Sequence, residues 1–253
     1  MRIKHRTILH MPGTRKAGVY DEKKSMAADL PRIRAVIFDY GNVLCFPQSE
    51  ADARRMAEIC GMSLARFSEL YWRSRLAYDR ADLDRETYWA GVAREDGRTF
   101  TPGQVDQLVE IDCTGWAHIN PASMQWVQQL RRAGLQLVLL SNMPAEISRY
   151  LLTHHEWPSL FHHLVFSCDL RRVKPEPESY QVCLEKLQLA PHEVLFLDDR
   201  EQNVQGAAKL GMHALVFDDL SRVLEKVARR YHLPVPDAVA SSAMPAELRL
   251  DEP

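Results

Sequence analysis

The chain has 253 residues, 46% of them hydrophobic, and a formal net charge of -2. That is enough to bury a sizeable core and too balanced to argue for a nucleic acid or a membrane surface as partner. Five cysteines without a C-x-x-C pair imply neither a disulfide framework nor a zinc knuckle and fit a reducing, cytoplasmic setting, and no apolar run reaches the roughly 18 residues of a membrane span.

Residues 1–33 read as a basic, disordered extension. Arg2, Lys4, Arg6, Arg15, Lys16, Lys23, Lys24 and Arg32 stand against Asp21, Glu22 and Asp29, without the apolar stretch of a secretory signal. A targeting leader is the alternative, and Met26 could serve as a start. The first strand is Ala35-Val36-Ile37-Phe38, β-prone and cut off at Asp39. Between Leu44 and Asn120 no strand is convincing. Four helices are predicted there from their starts: Ser49, Ser63 and Asp84 as caps, and Thr101-Pro102-Gly103-Gln104 as an N-terminal box, with Gly61 as a stop. Asn120-Pro121 opens a further helix that ends at Gly134. Apolar runs at Leu135 to Leu140, Leu164 to Phe166, Val194 to Leu197 and His213 to Phe217 supply four more strands. The stripes Tyr180-Cys183-Leu184-Leu187, Val204-Ala207-Ala208-Leu210 and Leu220-Val223-Leu224-Val227 supply helices. Near-continuous apolar strands alternating with helices predict an α/β fold with a parallel sheet covered on both faces. From about Pro234 to Pro253 the chain reads as a loose tail.

In such sheets ligands sit at the carboxyl ends of the strands. Strand one ends in Asp39, strand two in Ser141-Asn142 and strand four in Asp198-Asp199, and Lys174 lies in the loop after strand three. Singly, each is an ordinary turn, cap or surface residue. Together they supply carboxylates, a hydroxyl and an ammonium, a set that can bind a divalent cation and a phosphoryl group at once.

The order of these motifs resembles that of the haloacid dehalogenase superfamily. Phe38-Asp39-Tyr40-Gly41-Asn42-Val43-Leu44 is similar to its first motif, Leu140-Ser141-Asn142 to the second, Lys174-Pro175 to the third, and Leu197-Asp198-Asp199 with Asn203 and Gly206 to the fourth. The resemblance implies a doubly wound parallel sheet, a Rossmann-like core, with an inserted all-helical cap domain. The core would be 34–46 and 119–233, the cap 47–118, and 234–253 a flexible tail. It implies Asp39 as the nucleophile that becomes phosphorylated, Ser141 and Asn142 as phosphoryl holders, and Lys174 as charge neutraliser. Mg²⁺ would sit among Asp39, the Gly41 carbonyl, Asp198 and Asp199. The expected activity is hydrolysis of a small phosphorylated metabolite.

Gly41 departs from the pattern. Phosphatases of the family usually carry there a second Asp, the general acid/base. The form Asp-x-Gly-Asn-Val resembles a subgroup that includes sugar-phosphate phosphatases similar to α-D-glucose-1-phosphatase. Asp79, Asp82 and Asp84 in the cap are candidate substitutes for the missing acid. A 2-haloacid dehalogenase is the alternative enzyme, disfavoured because the resemblance implies loss of the acidic pair in such relatives. A catalytically weakened domain that binds a phosphorylated ligand is the non-enzymatic alternative. His154-His155 and His162-His163 read as a solvated loop rather than a metal site. The aromatic residues Tyr71, Trp72, Tyr78, Tyr88, Trp89 and Trp116 read mostly as cap core, with one or two facing substrate. Oligomeric state is open.

Overall fold

The structure is a computed structural model, and it describes residues 32–236. The basic stretch before residue 32, Met26 included, and the tail beyond residue 236 lie outside the described residues. Five strands form one wholly parallel sheet: β1 (Ala35–Phe38), β2 (Gln136–Ser141), β3 (His163–Phe166), β4 (Val194–Asp198) and β5 (His213–Val216), in the order β3-β2-β1-β4-β5. Each matches a predicted apolar run, with ends shifted by a residue where pairing sets the boundary.

Alternation decides what each face buries. Val36, Phe38, Leu137, Leu139, Leu195 and Leu197 enter one core, and Ala35, Ile37, Val138, Leu140, Val194 and Phe196 enter the other. Both faces are therefore dry, which is why these strands read as continuous hydrophobic runs. The second core is closed by helices α9 (Pro177–Leu187) and α10 (Glu201–Lys209), through Tyr180, Cys183, Leu187 and Ala207. The first is closed by α6 (Pro121–Arg132) and α11 (Leu220–Tyr231), with Trp126 edge-on to Phe38 at 5.4 Å.

Between β1 and α6 stand five helices: α1 (Glu50–Cys60), α2 (Leu64–Arg73), α3 (Arg75–Asp79), α4 (Arg85–Glu95) and α5 (Pro102–Gly115). Ser49, Ser63 and Asp84 accept from the backbone N–H groups of Asp52, Arg66 and Thr87 as their sequence positions predict, and Thr101 with Gln104 closes a capping box. Gly61 ends α1 at φ 68°, a left-handed conformation that suits glycine. The chain leaves for this insertion and returns from it side by side. Phe46 donates to the His118 carbonyl at 2.8 Å and Asn120 to that of Leu44 at 2.9 Å, with a bridge between Cys45 and Ile119. Those pairs bracket the helical insertion. Its buried side chains (Met56, Phe67, Leu70, Trp89, Leu108) belong to the same cluster as Val36 and Phe38, so the helical layer packs on the sheet's own core.

Several details depart from the sequence reading. Helices α3, α7 (Ala145–His154) and α8 (Ser167–Leu170) were not expected. The start of the supposed tail is docked: the Pro234 and Val235 carbonyls accept from Trp126 Nε1 and Gln129 Nε2, both at 3.0 Å. Ile33, assigned to the loose extension, is buried. No helix among the described residues is long and apolar enough to cross a membrane.

Candidate active site

The strand order reverses direction between β1 and β4, and the carboxyl ends of strands at such a point form a crevice. A cavity of about 310 Å³ opens there. The Asp39 N–H donates to the Leu197 carbonyl at 2.9 Å, which holds the end of β1 beside the end of β4. Lys174 comes from the loop after α8. Its Nζ lies 2.6 Å from Asp39 Oδ1 and 2.6 Å from Asp198 Oδ2, and all three side chains are buried. The Lys174 backbone is fastened to the end of β2, where its N–H donates to Asn142 Oδ1 at 2.9 Å and its carbonyl accepts from Asn142 Nδ2 at 3.1 Å.

Of the residues the sequence points to, Asp39, Gly41, Ser141, Asn142, Lys174 and Asp199 line the cavity. Asp198 is wholly buried behind them. Its carboxylate accepts from Asn203 Nδ2 at 2.9 and 3.1 Å, from the Arg200 N–H at 2.9 Å and from Lys174. Asp199 Oδ2 instead accepts from Asn42 Nδ2 at 2.8 Å. Asn42 sits in the left-handed region at φ 57°, a conformation asparagine tolerates better than most residues. Sequence reasoning missed this residue as a site element, although it stands inside the first motif. Gly206 has a packing reason: a Cβ there would meet Tyr180 Oη at 2.8 Å and Pro175 Cβ at 3.0 Å. It lets α10 approach the loop that carries Lys174.

Electrostatics follow from this burial. Loss of solvent pushes the Asp39 carboxyl up to about 7, against the pull of Lys174 and with a further push from Asp198 and Asp199. Burial also raises Asp199, opposed by the Asn42 hydrogen bond. Burial works against the Lys174 ammonium, but Asp198 and Asp39 outweigh it and its pKa is raised. One cation is thus held by two carboxylates while a third stands close. Asp39, Asp198 and Asp199 each offer an oxygen, and the three lie within 4.8 Å of one another. They are hard oxygen donors with excess negative charge, and Asn42 Oδ1 beside them is buried without a partner. The set fits a small divalent cation.

The cap closes the cavity with Trp72, Arg75, Leu76, Asp79 and Trp116. Arg75 is buried, donating from Nε to Asp79 Oδ1 at 2.8 Å and from Nη1 to Asp112 Oδ2 at 2.9 Å and to Tyr71 Oη. Ser167 ties this helical turn to the core: it donates to the Asp79 carbonyl at 2.6 Å and accepts from the Met143 N–H at 2.9 Å. None of these cap contacts was read from sequence. Of the three cap carboxylates considered as a replacement acid, only Asp79 faces the cavity. Asp84 caps α4, and Asp82 is exposed beside Arg80. Of the six cap aromatics, Trp72 and Trp116 line the cavity; Tyr71, Tyr78, Tyr88 and Trp89 are core. The paired histidines do not converge. His154 ends α7, and His162 Nδ1 accepts from the Leu137 N–H at 2.9 Å. Among the described residues the three aspartates are the one group with metal-binding proximity.

Residues 33–211 match the haloacid dehalogenase-like hydrolase family, and the chain belongs to it. A phosphatase of Mycobacterium tuberculosis is 29% identical over 206 residues, covering 78% of this chain and 93% of that one. An (S)-2-haloacid dehalogenase of a Pseudomonas species is 24% identical over 224 residues, covering 84% and 93%. A haloacid dehalogenase family enzyme of Bacteroides thetaiotaomicron, solved with magnesium and inorganic phosphate, superposes with a TM-score of 0.63 at 20% identity, over 76% of this chain and 98% of that one. That last likeness is one of fold.

Proposed function

We propose that this member of the haloacid dehalogenase-like hydrolases is a magnesium-dependent phosphatase acting on a small phosphate monoester. The observation that carries this reading is the trio Asp39, Asp198 and Asp199, whose oxygens lie within 4.8 Å of one another, with Asp39 and Asp198 sharing the Lys174 ammonium. A dianionic phosphate cannot join so many carboxylates unless further positive charge is present. Asp39, the Gly41 carbonyl and Asp199 line the cavity and would hold Mg²⁺ there, with Asp198 completing the set from behind. Bound at this place, the ion supplies Lewis-acid charge for the phosphoryl oxygens.

The rest is the work of the chain's own groups. Asp39 attacks phosphorus with the carboxylate oxygen it does not give to Lys174, forming an aspartyl phosphate. Lys174 compensates charge on the nucleophile and on the phosphoryl group. Ser141 and the segment around Asn142 orient the remaining oxygens. Asn42 and Asn203 keep the acidic pair in place.

The related dehalogenase makes carbon–halogen chemistry the competing reading. The acidic pair, held by two asparagines, favours the phosphatase, because displacement at carbon needs no third carboxylate. The test is turnover of a phosphomonoester panel and of 2-chloropropionate with Mg²⁺ and with EDTA, in wild type and Asp39→Asn. Metal-dependent phosphate release that the variant lacks supports the proposal. Chloride release insensitive to EDTA, without phosphate release, overturns it.

A further inference from the structure

The substrate's other half is written in the cavity wall. Two polar cap residues line it, Arg75 and Asp79, and they are bonded to each other and into the cap through Asp112 and Tyr71. What remains of the cap wall is Trp72, Leu76 and Trp116, faced from the core by Met143 and Ile147. Trp116 is fixed at both ends. Its carbonyl accepts from Tyr40 Oη at 2.6 Å and its Nε1 donates to Tyr71 Oη at 3.2 Å. The Trp72 ring meets it edge to face at 6.4 Å. Leu76 is 49% exposed, an unusual state for a leucine that borders a cavity in a chain whose large apolar side chains are otherwise mostly buried.

The second observation concerns the ester oxygen. Trp116 Cζ3 lies 3.6 Å from where a Cβ on Gly41 would stand. The flank two residues beyond the nucleophile therefore presents an indole ring and no acid. We propose that the leaving group is a phenol, so that the substrate class is a single-ring aryl phosphate. The inference rests on the phosphatase reading above. An aromatic wall suits an aromatic ring, whereas sugar hydroxyls set against Trp72, Leu76 and Trp116 would lose water without gaining partners from that wall. The volume of about 310 Å³ is at the small end of ligand pockets, about 300–1,000 Å³, room for a phosphoryl group and one ring.

Leaving-group chemistry points the same way. A phenol has a pKa near 10, several units below an ordinary alcohol, whose value is close to the ~15.7 of water. Asp39 attacks phosphorus and the P–O bond to the ring breaks, phenoxide leaving with the electron pair. Water then cleaves the aspartyl phosphate, giving inorganic phosphate and free Asp39. The proton released in that step balances the one phenoxide takes from solvent.

The experiment measures kcat/KM with Mg²⁺ for phenyl, cyclohexyl and acetyl phosphate and for glucose 1- and 6-phosphate, in wild type and Leu76→Asn. Leu76 is half exposed, so this variant folds. Phenyl phosphate should exceed its ring-sized alkyl counterpart by at least about 10²-fold, the rate a general acid would restore to a poor leaving group. It should exceed both glucose phosphates by about tenfold or more, and Leu76→Asn should lower the phenyl-to-acetyl phosphate ratio roughly tenfold. Glucose phosphates turned over as fast as phenyl phosphate, or a ratio that Leu76→Asn leaves in place, would overturn the assignment. So would equal rates for phenyl and cyclohexyl phosphate, which would give the proton to Asp79. Turnover of acetyl phosphate with any of those results sinks this inference alone; no turnover of any ester sinks the phosphatase reading with it.

Discussion

Replacing Lys174 by methionine keeps the aliphatic volume and removes the ammonium that Asp39 and Asp198 share. Its ammonium is 2.6 Å from a carboxylate oxygen on either side, with 1% of its side chain exposed. At an effective dielectric near 20, each such contact is worth roughly 6 kcal/mol before desolvation. Desolvating the ammonium cancels much of that, and breaking a buried pair from one side leaves a net cost of about 3–5 kcal/mol. The loss depends on pH in a definite direction. Lys174 is the group that pulls the Asp39 carboxyl down, so without it Asp39 holds its proton to still higher pH. Below that pH the variant carries a neutral Asp39 and loses less; above it, buried like charges face each other and it loses more. Urea denaturation in EDTA at about pH 5.5 and 8 measures this, and turnover should fall by at least about 10²-fold. A variant as stable as wild type at pH 8, with normal turnover, would refute the account of Lys174 as the central counter-charge.

Other outcomes follow from the same geometry. In metal-free protein the Asp39 carboxyl goes from 3.8 in the open chain to about 7 when folded. The folded state therefore binds that proton more tightly, and stability present below about pH 4 is lost as pH rises to about 7, by up to ~4 kcal/mol. Denaturation in EDTA across that range should show the slope, and Asp39→Asn should remove it; a slope unchanged in the variant contradicts the assignment. Asn203→Ala strips the amide that donates to both oxygens of buried Asp198 and should cost about 1–3 kcal/mol, read from the denaturation midpoint. An unchanged midpoint would mean that water replaces the amide. Gly41→Asp should be tolerated, since a Cβ meets Trp116 at ordinary contact distance, and should raise kcat/KM for cyclohexyl phosphate toward the ~10²-fold worth of a general acid. No gain, with the fold intact by circular dichroism, would mean that Trp116 keeps the carboxyl from the leaving oxygen.

The core half of the site was legible because its chemistry is local to strand ends. An apolar run that stops at a charged residue marks the carboxyl end of a strand, and a parallel sheet brings such ends to one edge. Asp39, Ser141 and Asp199 are therefore placed on one cavity by their strand ends, with Lys174 in the loop that follows the third strand. What the sequence could not separate is Asp198 from Asp199. Neighbours on an extended backbone point to opposite sides, and here one faces the buried Lys174 and Asn203 while the other faces the cavity. Asn42 was hidden for a related reason: its role depends on a left-handed turn that aims its amide across to Asp199.

The cap half was illegible because its contacts are long-range and its residue types are ambiguous. Tyr71, Arg75 and Asp79 stand at four-residue spacing, but a helix break at Ser74 separates α2 from α3, so the stripe does not read as one helical face. An arginine and an aspartate four residues apart normally mean a solvated surface pair. Here Asp112, thirty-seven residues from Arg75, arrives on α5 and converts that pair into a buried network. The consequence is chemical. Because Arg75 and Asp79 are tied to each other and to Asp112 inside the cap, the cap wall beside them is formed by Trp72, Leu76 and Trp116. On the proposed phosphatase reading, recognition of the phosphoryl group is encoded in short motifs at strand ends, whereas recognition of the leaving group is encoded in which cap side chains pair with one another.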